Sequence, residues 1–301
     1  MTILPRLPIV FFLIFLSQTK GSFGNHAKLS SIESIEQLKG CCKKSSKVQG
    51  LHQIKLYLAR FGYLNYQITH DHVSAEDNEF DDELEAALKS YQRYYHLNAT
   101  GTLDGPTISQ MVIPRCGLPD KRTYIHGSKS PHIVPHFKLF PGHPRWPPGK
   151  KQFTYAFPSN YSNKHVPPIE RAFKQWTTAT HYFTFSKIAD FKHADLKLSF
   201  EQRKHGDIDF DGPGKAAAHA FWPTDGKLHF DIEEPNWSDG PGIEPMKLDL
   251  ETVAAHEIGH LLGLDHSEVP NAAMFPSISY GQKKPLHEDD IKGIKTLYGL
   301  K

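Results

Sequence analysis

A chain of 301 residues, 39% hydrophobic and 23% charged, is long enough for two modest domains, each with its own core. Its 35 Lys and Arg against 33 Asp and Glu leave a net charge of +2 with both signs mixed, which argues against a dedicated nucleic-acid surface. Three cysteines are too few, and odd in number, for a disulfide-stapled scaffold.

The one long apolar run, Leu7 to Leu16, follows Met1 and Arg6 and is too short to span a bilayer. It reads as the core of a secretory signal peptide over 1–24, with Ser22 and Gly24 marking cleavage near Asn25. The expected location is therefore extracellular, in the cell-wall or matrix space. No apolar tail follows Leu300, so neither a lipid anchor nor a membrane span is expected. Cys41 and Cys42 are vicinal, a spacing whose mutual disulfide is strained. Sequons begin at Asn98, Asn160 and Asn236, the acceptor pattern for glycans on a secreted chain.

Residues 25–120 read as a small helical unit. Leu51, Ile54, Leu58 and Phe61 recur at helical spacing up to Gly62, and Leu84, Leu88, Tyr91 and Tyr95 repeat the pattern after the acidic turn Asp81-Asp82-Glu83. Asp104-Gly105-Pro106 starts a third helix ending near Met111. The extended segment Pro114-Arg115-Cys116-Gly117-Leu118-Pro119-Asp120 then displays one thiol between prolines. Residues 121–150 are rich in Pro, Gly, His and Lys without periodicity, an exposed stretch of the kind proteases cut; the linker is expected over 121–135, and cleavage between about Lys129 and Phe140.

A second unit covers 136–301. Phe153 to Phe157 alternates as a strand, and Pro167-Pro168 opens a helix with Ile169, Phe173 and Trp176 on its apolar stripe. Tyr182 to Ile188 and Leu196 to Phe200 are further strands, which together predict a mixed sheet crossed by that helix. The following loop is dense in ligand types. His205, Asp207, His219 and His229 offer a closed tetrahedral set of three nitrogens and one oxygen, as a structural zinc requires. Asp211, Asp231 and Glu234, with carbonyls of the glycine-rich turn, offer the hard oxygens that suit calcium.

The most specific stretch is His256-Glu-Ile-Gly-His-Leu-Leu-Gly-Leu-Asp-His266. Four residues apart on a helix, His256 and His260 point at one spot, and Glu257 projects beside it, where a metal-bound water would sit. Gly263 lets the helix stop and turn, so that His266 arrives as a third nitrogen ligand. Three ligands leave a fourth zinc position open, and the Cys116 thiolate could fill it.

These motifs together resemble the matrix metalloproteinases. Residues 48–113 resemble peptidoglycan-binding-like domains, a fold that also forms that family's propeptides, so glycan binding is a rival use of this unit. The segment 114–120 looks like the family's cysteine switch, in which Arg115 and Asp120 would pair. The stretches FGYL and FPGHPRW look most like the plant type, without a hemopexin domain. The resemblance implies an α+β fold: a metzincin catalytic domain, with a twisted mixed five-stranded sheet and three helices, preceded by a three-helix prodomain. It implies a zinc endopeptidase made as a latent zymogen, with Glu257 as general base and Met274 in a Met-turn below the metal. It further implies structural zinc on His205, Asp207, His219 and His229, and at least one calcium on Asp211, Gly212, Gly214, Asp231 and Glu234. Its partners would be extended peptide segments of extracellular proteins, lying along an edge strand at Ala216–Trp222, and protein inhibitors; the chain would be a monomer.

Departures from the family pattern shape the remaining expectations. Lys227 stands where a second calcium would need an aspartate, although Asp195 matches another of its ligands. Pro276-Ser277-Ile278 alters the usual wall of the specificity pocket. His287 precedes the last helix, 288–298, where a better N-cap is expected. Asp290 would brace the Met-turn, and Asp289 would accept the new N-terminal ammonium after activation. Ser267 and the switch segment separate the chain from astacins, and Glu257 separates it from a secreted zinc- or glycan-binding protein without turnover.

Overall fold

Helix α1 (Leu51–Arg60) buries Leu51, Ile54 and Leu58 and ends where Gly62 takes a left-handed φ of 82°. The computed structural model describes residues 38–40, 46–65, 77–122, 137–212, 214–234 and 236–301; the signal-peptide reading, Cys41, Cys42 and most of the expected cleavage segment lie outside them. Helix α2 (Asp82–Tyr94) is capped by Asp81, whose carboxylate accepts from Leu84 N at 2.7 Å, and Asp82, Glu83 and Glu85 place negative charge at its positive end. Helix α3 (Gly105–Met111) is capped in the same way by Asp104, with Pro106 in its first turn. These helices close over a core that includes five buried tyrosines, Tyr57, Tyr63, Tyr91, Tyr94 and Tyr95. Buried phenols require hydrogen-bond partners, and two of these find them in the segment that leaves the bundle.

In the second unit, strand β2 (Gln152–Ala156) leads through helix α4 (Val166–Thr180) to the parallel strand β3 (Thr184–Lys187). Strand β4 (Leu196–Glu201) pairs on the other side of β2, then come β6 (Lys227–Asp231) in parallel and β5 (Ala216–Ala220) antiparallel to β6. Those five strands are the mixed sheet expected of this unit. A sixth, β1 (Arg115–Cys116), lies parallel along β5 and comes from the preceding unit. The segment expected to be an edge strand therefore has neighbours on both sides, and its regular part stops at Ala220.

A two-residue ladder, β7 (Trp237–Ser238) with β8 (Leu248–Asp249), delivers the chain into helix α5 (Leu250–Leu261). Helices α4 and α5 share the sheet's core, and Trp176 Nε1 donates across them to Ala255 O at 2.9 Å. The last helix, α6 (Glu288–Tyr298), corrects the expectation about His287. The His287 ring accepts from Asp289 N at 3.2 Å while Asp290 accepts from His287 N at 2.7 Å, a reciprocal capping box with histidine in the usual serine or threonine role.

Candidate active site

Every residue of α5 is buried, so its two histidines cannot be a solvated polar stripe. Asp249 fixes where the helix begins, accepting from Thr252 N at 2.8 Å and Thr252 Oγ1 at 2.6 Å. His256 Nδ1 lies 2.7 Å from Ala273 O and His260 Nδ1 lies 2.8 Å from Leu264 O. A carbonyl only accepts, so both Nδ1 atoms carry protons and both Nε2 atoms are left as bare lone pairs. Those two Nε2 atoms face each other at 3.0 Å.

Gly263, at φ 105°, then turns the chain, and a Cβ there would lie 2.4 Å from Pro144 O. The turn returns His266 to the same spot, and Cys116 brings its sulfur to 3.5 Å from His260 Nε2. One donor atom from each of Cys116, His256, His260 and His266 falls within a sphere where all lie within 4.8 Å of one another, and all four residues are buried. Burial first, then the neighbouring imidazoles, holds His256 and His260 well below the ordinary histidine range, so both are neutral. Burial, then the Glu257 charge, pushes the Cys116 thiol well up. Facing lone pairs beside a buried sulfur repel unless a cation sits among them. A soft-to-borderline ion that takes three imidazoles and a thiolate is zinc.

Glu257 completes the cluster. Its carboxyl is fully buried beside the Cys116 thiol, and burial pushes it up to about 8. Below the histidines Met274 is 1% exposed, held by Asp290, which accepts from Ala273 N at 2.9 Å and Met274 N at 3.0 Å. The sequence reading overlooked Gly259. A Cβ there would meet Met274 Sδ at 2.2 Å, so only glycine lets the methionine pack against the helix between the two histidines. Asp289 accepts from Ser267 Oγ at 2.6 Å, a partner also not foreseen.

Strand β1 is held on two sides. Arg115 N donates to Lys215 O and Gly117 N to Ala218 O, both at 2.7 Å, while Cys116 N donates to Pro276 O at 2.8 Å and Ile278 N to Pro114 O at 3.0 Å. Behind it, Arg115 makes a fork to Asp120 at 2.6 and 3.0 Å, with its guanidinium 3.5 Å from the Phe61 ring centroid. Asp120 also accepts from Tyr63 Oη at 2.7 Å and Tyr95 Oη at 3.3 Å. Its other oxygen lies 2.9 Å from His266 Nδ1, both side chains being fully buried. Burial opposes ionisation there, but Arg115 and His266 hold the carboxyl far below the usual carboxylate range. Asp120 thus fixes the ring of His266, one of the four clustered donors, a contact that spacing alone could not reveal.

The second histidine cluster is built on the sheet. His219 and His229 are cross-strand partners in the β5–β6 ladder, so their rings stand side by side, 5.2 Å between centroids. Asp207 reaches in from the loop, 2.7 Å from His205 Nε2, 3.2 Å from His219 Nε2 and 3.3 Å from His229 Nδ1. Burial, then His229, pushes His219 down to about 3, and burial also lowers His229. Two histidines held neutral with a third beside one carboxylate suit a closed zinc site.

The oxygen-rich set is looser. Asp231 Oδ2 and Glu234 Oε2 are buried without a hydrogen-bond partner, and burial pushes their carboxyls up to about 6 and about 7. Glu234 accepts from Gly214 N at 2.6 Å. Asp211 faces away in part, 3.3 Å from Arg60 of the helical unit. Orphaned buried carboxylate oxygens fit a hard cation. Asp195 is engaged otherwise: it pairs with Lys150 at 2.7 Å and accepts from Thr154 N at 2.8 Å, while Lys227 pairs with Asp225 at 3.1 Å. Asn98, Asn160 and Asn236 are all exposed. No helix among the described residues is long and apolar enough to cross a membrane.

Comparison with known proteins accords with this geometry. A family profile described as Matrixin matches residues 145–299, and one described as a putative peptidoglycan binding domain matches residues 47–111. Metalloendoproteinase 2-MMP of Arabidopsis thaliana is 40% identical over 86% of this chain and 73% of its own length. Metalloendoproteinase 1 of Glycine max is 39% identical over 84% of this chain and 83% of its own. Human matrix metalloproteinase-20 is 38% identical over 70% of this chain and 41% of its own length.

Proposed function

The chain belongs to the matrixin family of zinc-dependent metalloendopeptidases, and from that premise we propose that it is a secreted zymogen whose latency is Cys116 on the catalytic zinc. The carrying observation is the position of the Cys116 sulfur, 3.5 Å from His260 Nε2 and inside the four-donor group. His256, His260 and His266 would hold the metal in latent and active forms alike. His205, Asp207, His219 and His229 would hold a second, structural zinc, and Asp211, Asp231, Glu234 and the Gly212 and Gly214 carbonyls a calcium ion.

His256, His260 and His266 would hold the zinc, which when bound would polarise the scissile carbonyl and lower the pKa of a water to about 7. Glu257, buried beside the Cys116 thiol, would act as the general base that takes the water's proton and passes it to the leaving nitrogen. The substrate lies extended where β1 now lies, hydrogen-bonded to β5 on one side and to the Pro276–Ile278 segment on the other. Cleavage between about Lys129 and Phe140 would cut the tether of β1, after which the helical unit and Cys116 can leave together. The substrates are extended segments of extracellular proteins, protein inhibitors would use the same groove, and the enzyme acts as a monomer.

The test is a thiol-reactive mercurial added to the purified full chain. Peptide hydrolysis and self-cleavage should appear, and a zinc chelator should abolish both. A chain that binds zinc yet stays inert after its thiol has reacted would overturn the zymogen reading.

A further inference from the structure

The loop from Asp207 to Ala216 serves two masters. It carries Asp207 of the sheet cluster and Asp211 of the oxygen set, and it is also where the helical unit rests. Arg115 N donates to Lys215 O at 2.7 Å, and Ile208 packs against Cys116, Leu118 and Phe140. Arg60, the last residue of α1, reaches the same loop. Its guanidinium donates to Asp209 O at 3.0 Å and lies 3.3 Å from Asp211 Oδ2. The next residue, Phe61, holds the switch segment: its ring lies against the Arg115 guanidinium, and its carbonyl accepts from Asp120 N at 3.1 Å and Lys121 N at 3.3 Å. Two adjacent residues thus grip the metal loop and the segment bearing Cys116.

Asp211 cannot serve Arg60 and a dication equally well. Its Oδ1 accepts from Ala216 N at 3.2 Å, and its Oδ2 is the oxygen facing Arg60. Asp231, by contrast, is fully buried with Oδ2 lacking any hydrogen-bond partner, an oxygen kept free for a cation. Two other cations stand near the set, the buried Lys215 and Arg203, which pairs with Glu233 at 2.9 Å. Both belong to the catalytic unit and stay after cleavage. Arg60 is the one that leaves.

We propose that the helical unit and the cation of the oxygen set are antagonists, coupled through the Arg60–Asp211 pair. In the latent chain Arg60 draws on the carboxylate that a dication needs, so calcium binds more weakly there than in the mature enzyme. Coupling between two binding equilibria is reciprocal, so calcium loosens the helical unit by the same factor. The enzyme therefore gains its stabilising ion as it loses its lock. The coupling rests on the calcium reading of the oxygen set.

The test is calorimetric titration of calcium into the latent full-length chain, into latent Arg60→Gln, and into the mature enzyme purified after mercurial activation. Mature enzyme and latent Arg60→Gln should each bind calcium about two- to fivefold more tightly than the latent wild type, the scale of a part-exposed ion pair. Alkylation of Cys116, followed by peptide mass, reports departure of the helical unit. Saturating calcium should speed it about two- to fivefold in the latent wild type and leave Arg60→Gln unaffected. Equal calcium affinities in latent wild type and latent Arg60→Gln overturn the coupling, as does wild-type alkylation that ignores calcium. A mature enzyme that takes up no calcium instead strikes the calcium reading, and the coupling falls with it.

Discussion

The two histidine clusters offer four donors each but differ in who supplies the fourth. In the sheet cluster, Asp207 belongs to the same unit as its three histidines. In the helix cluster the fourth donor is Cys116, carried on a two-residue strand from a separate helical unit. On the zymogen reading, one site would stay closed and the other only while a tether holds. The same coordination arithmetic would then yield a structural site and a switchable one.

The comparison can be broken most severely at Glu257, which the sheet cluster has no counterpart for. Glu257→Ala should cost about 10²–10⁴-fold or more in peptide hydrolysis while metal analysis still finds the catalytic zinc; near-normal turnover would remove the base from its role. Next comes the fourth donor itself. A tethered ligand acts at an effective concentration of the order of millimolar, so even a micromolar interaction blocks the site roughly a thousandfold. Cys116→Ser should release most of that block in the uncleaved chain, read as peptidase activity without mercurial. Asp207→Ala should do the reverse: latency persists, the metal content drops by one zinc, and a denaturant melt shows a loss of roughly 3–5 kcal/mol, as for a broken buried pair.

The smallest effect concerns the carboxylates of the oxygen set. Without a cation, the Asp231 and Glu234 carboxyls sit at about 6 and about 7, above their ordinary values near 4. A raised carboxyl favours the folded state while protonated, so chelator-treated protein should lose stability as pH rises from about 4 to about 7. Added calcium should restore it chiefly above that window. A pH-independent calcium effect on Tm would remove these two carboxylates from the site.

Much of this was legible in the sequence, because helical and zinc-ligand spacings are local. The three helices of the first unit, their Asp81 and Asp104 caps and the His256–His260 pair all follow from residues within a few positions of one another. What was not legible depends on approach between distant segments. Gly259 reads as an unremarkable helix glycine until Met274 is packed against it, and Asp120 reads only as the partner of Arg115 until His266 is folded back beside it. His287 was misjudged because propensity ranks side chains singly, whereas its ring works as one half of a reciprocal pair with Asp290.

Strand β5, reading Ala216-Ala217-Ala218-His219-Ala220, is small-residued and completely buried, with β1 covering its outer edge. Stripped of that neighbour, it presents a row of bare amides and carbonyls with almost no side chains standing guard, the kind of edge on which strands from other molecules stack. On the zymogen reading, the helical unit would cover this edge as well as lock the site. A chain made without it would face self-association before it ever met a substrate.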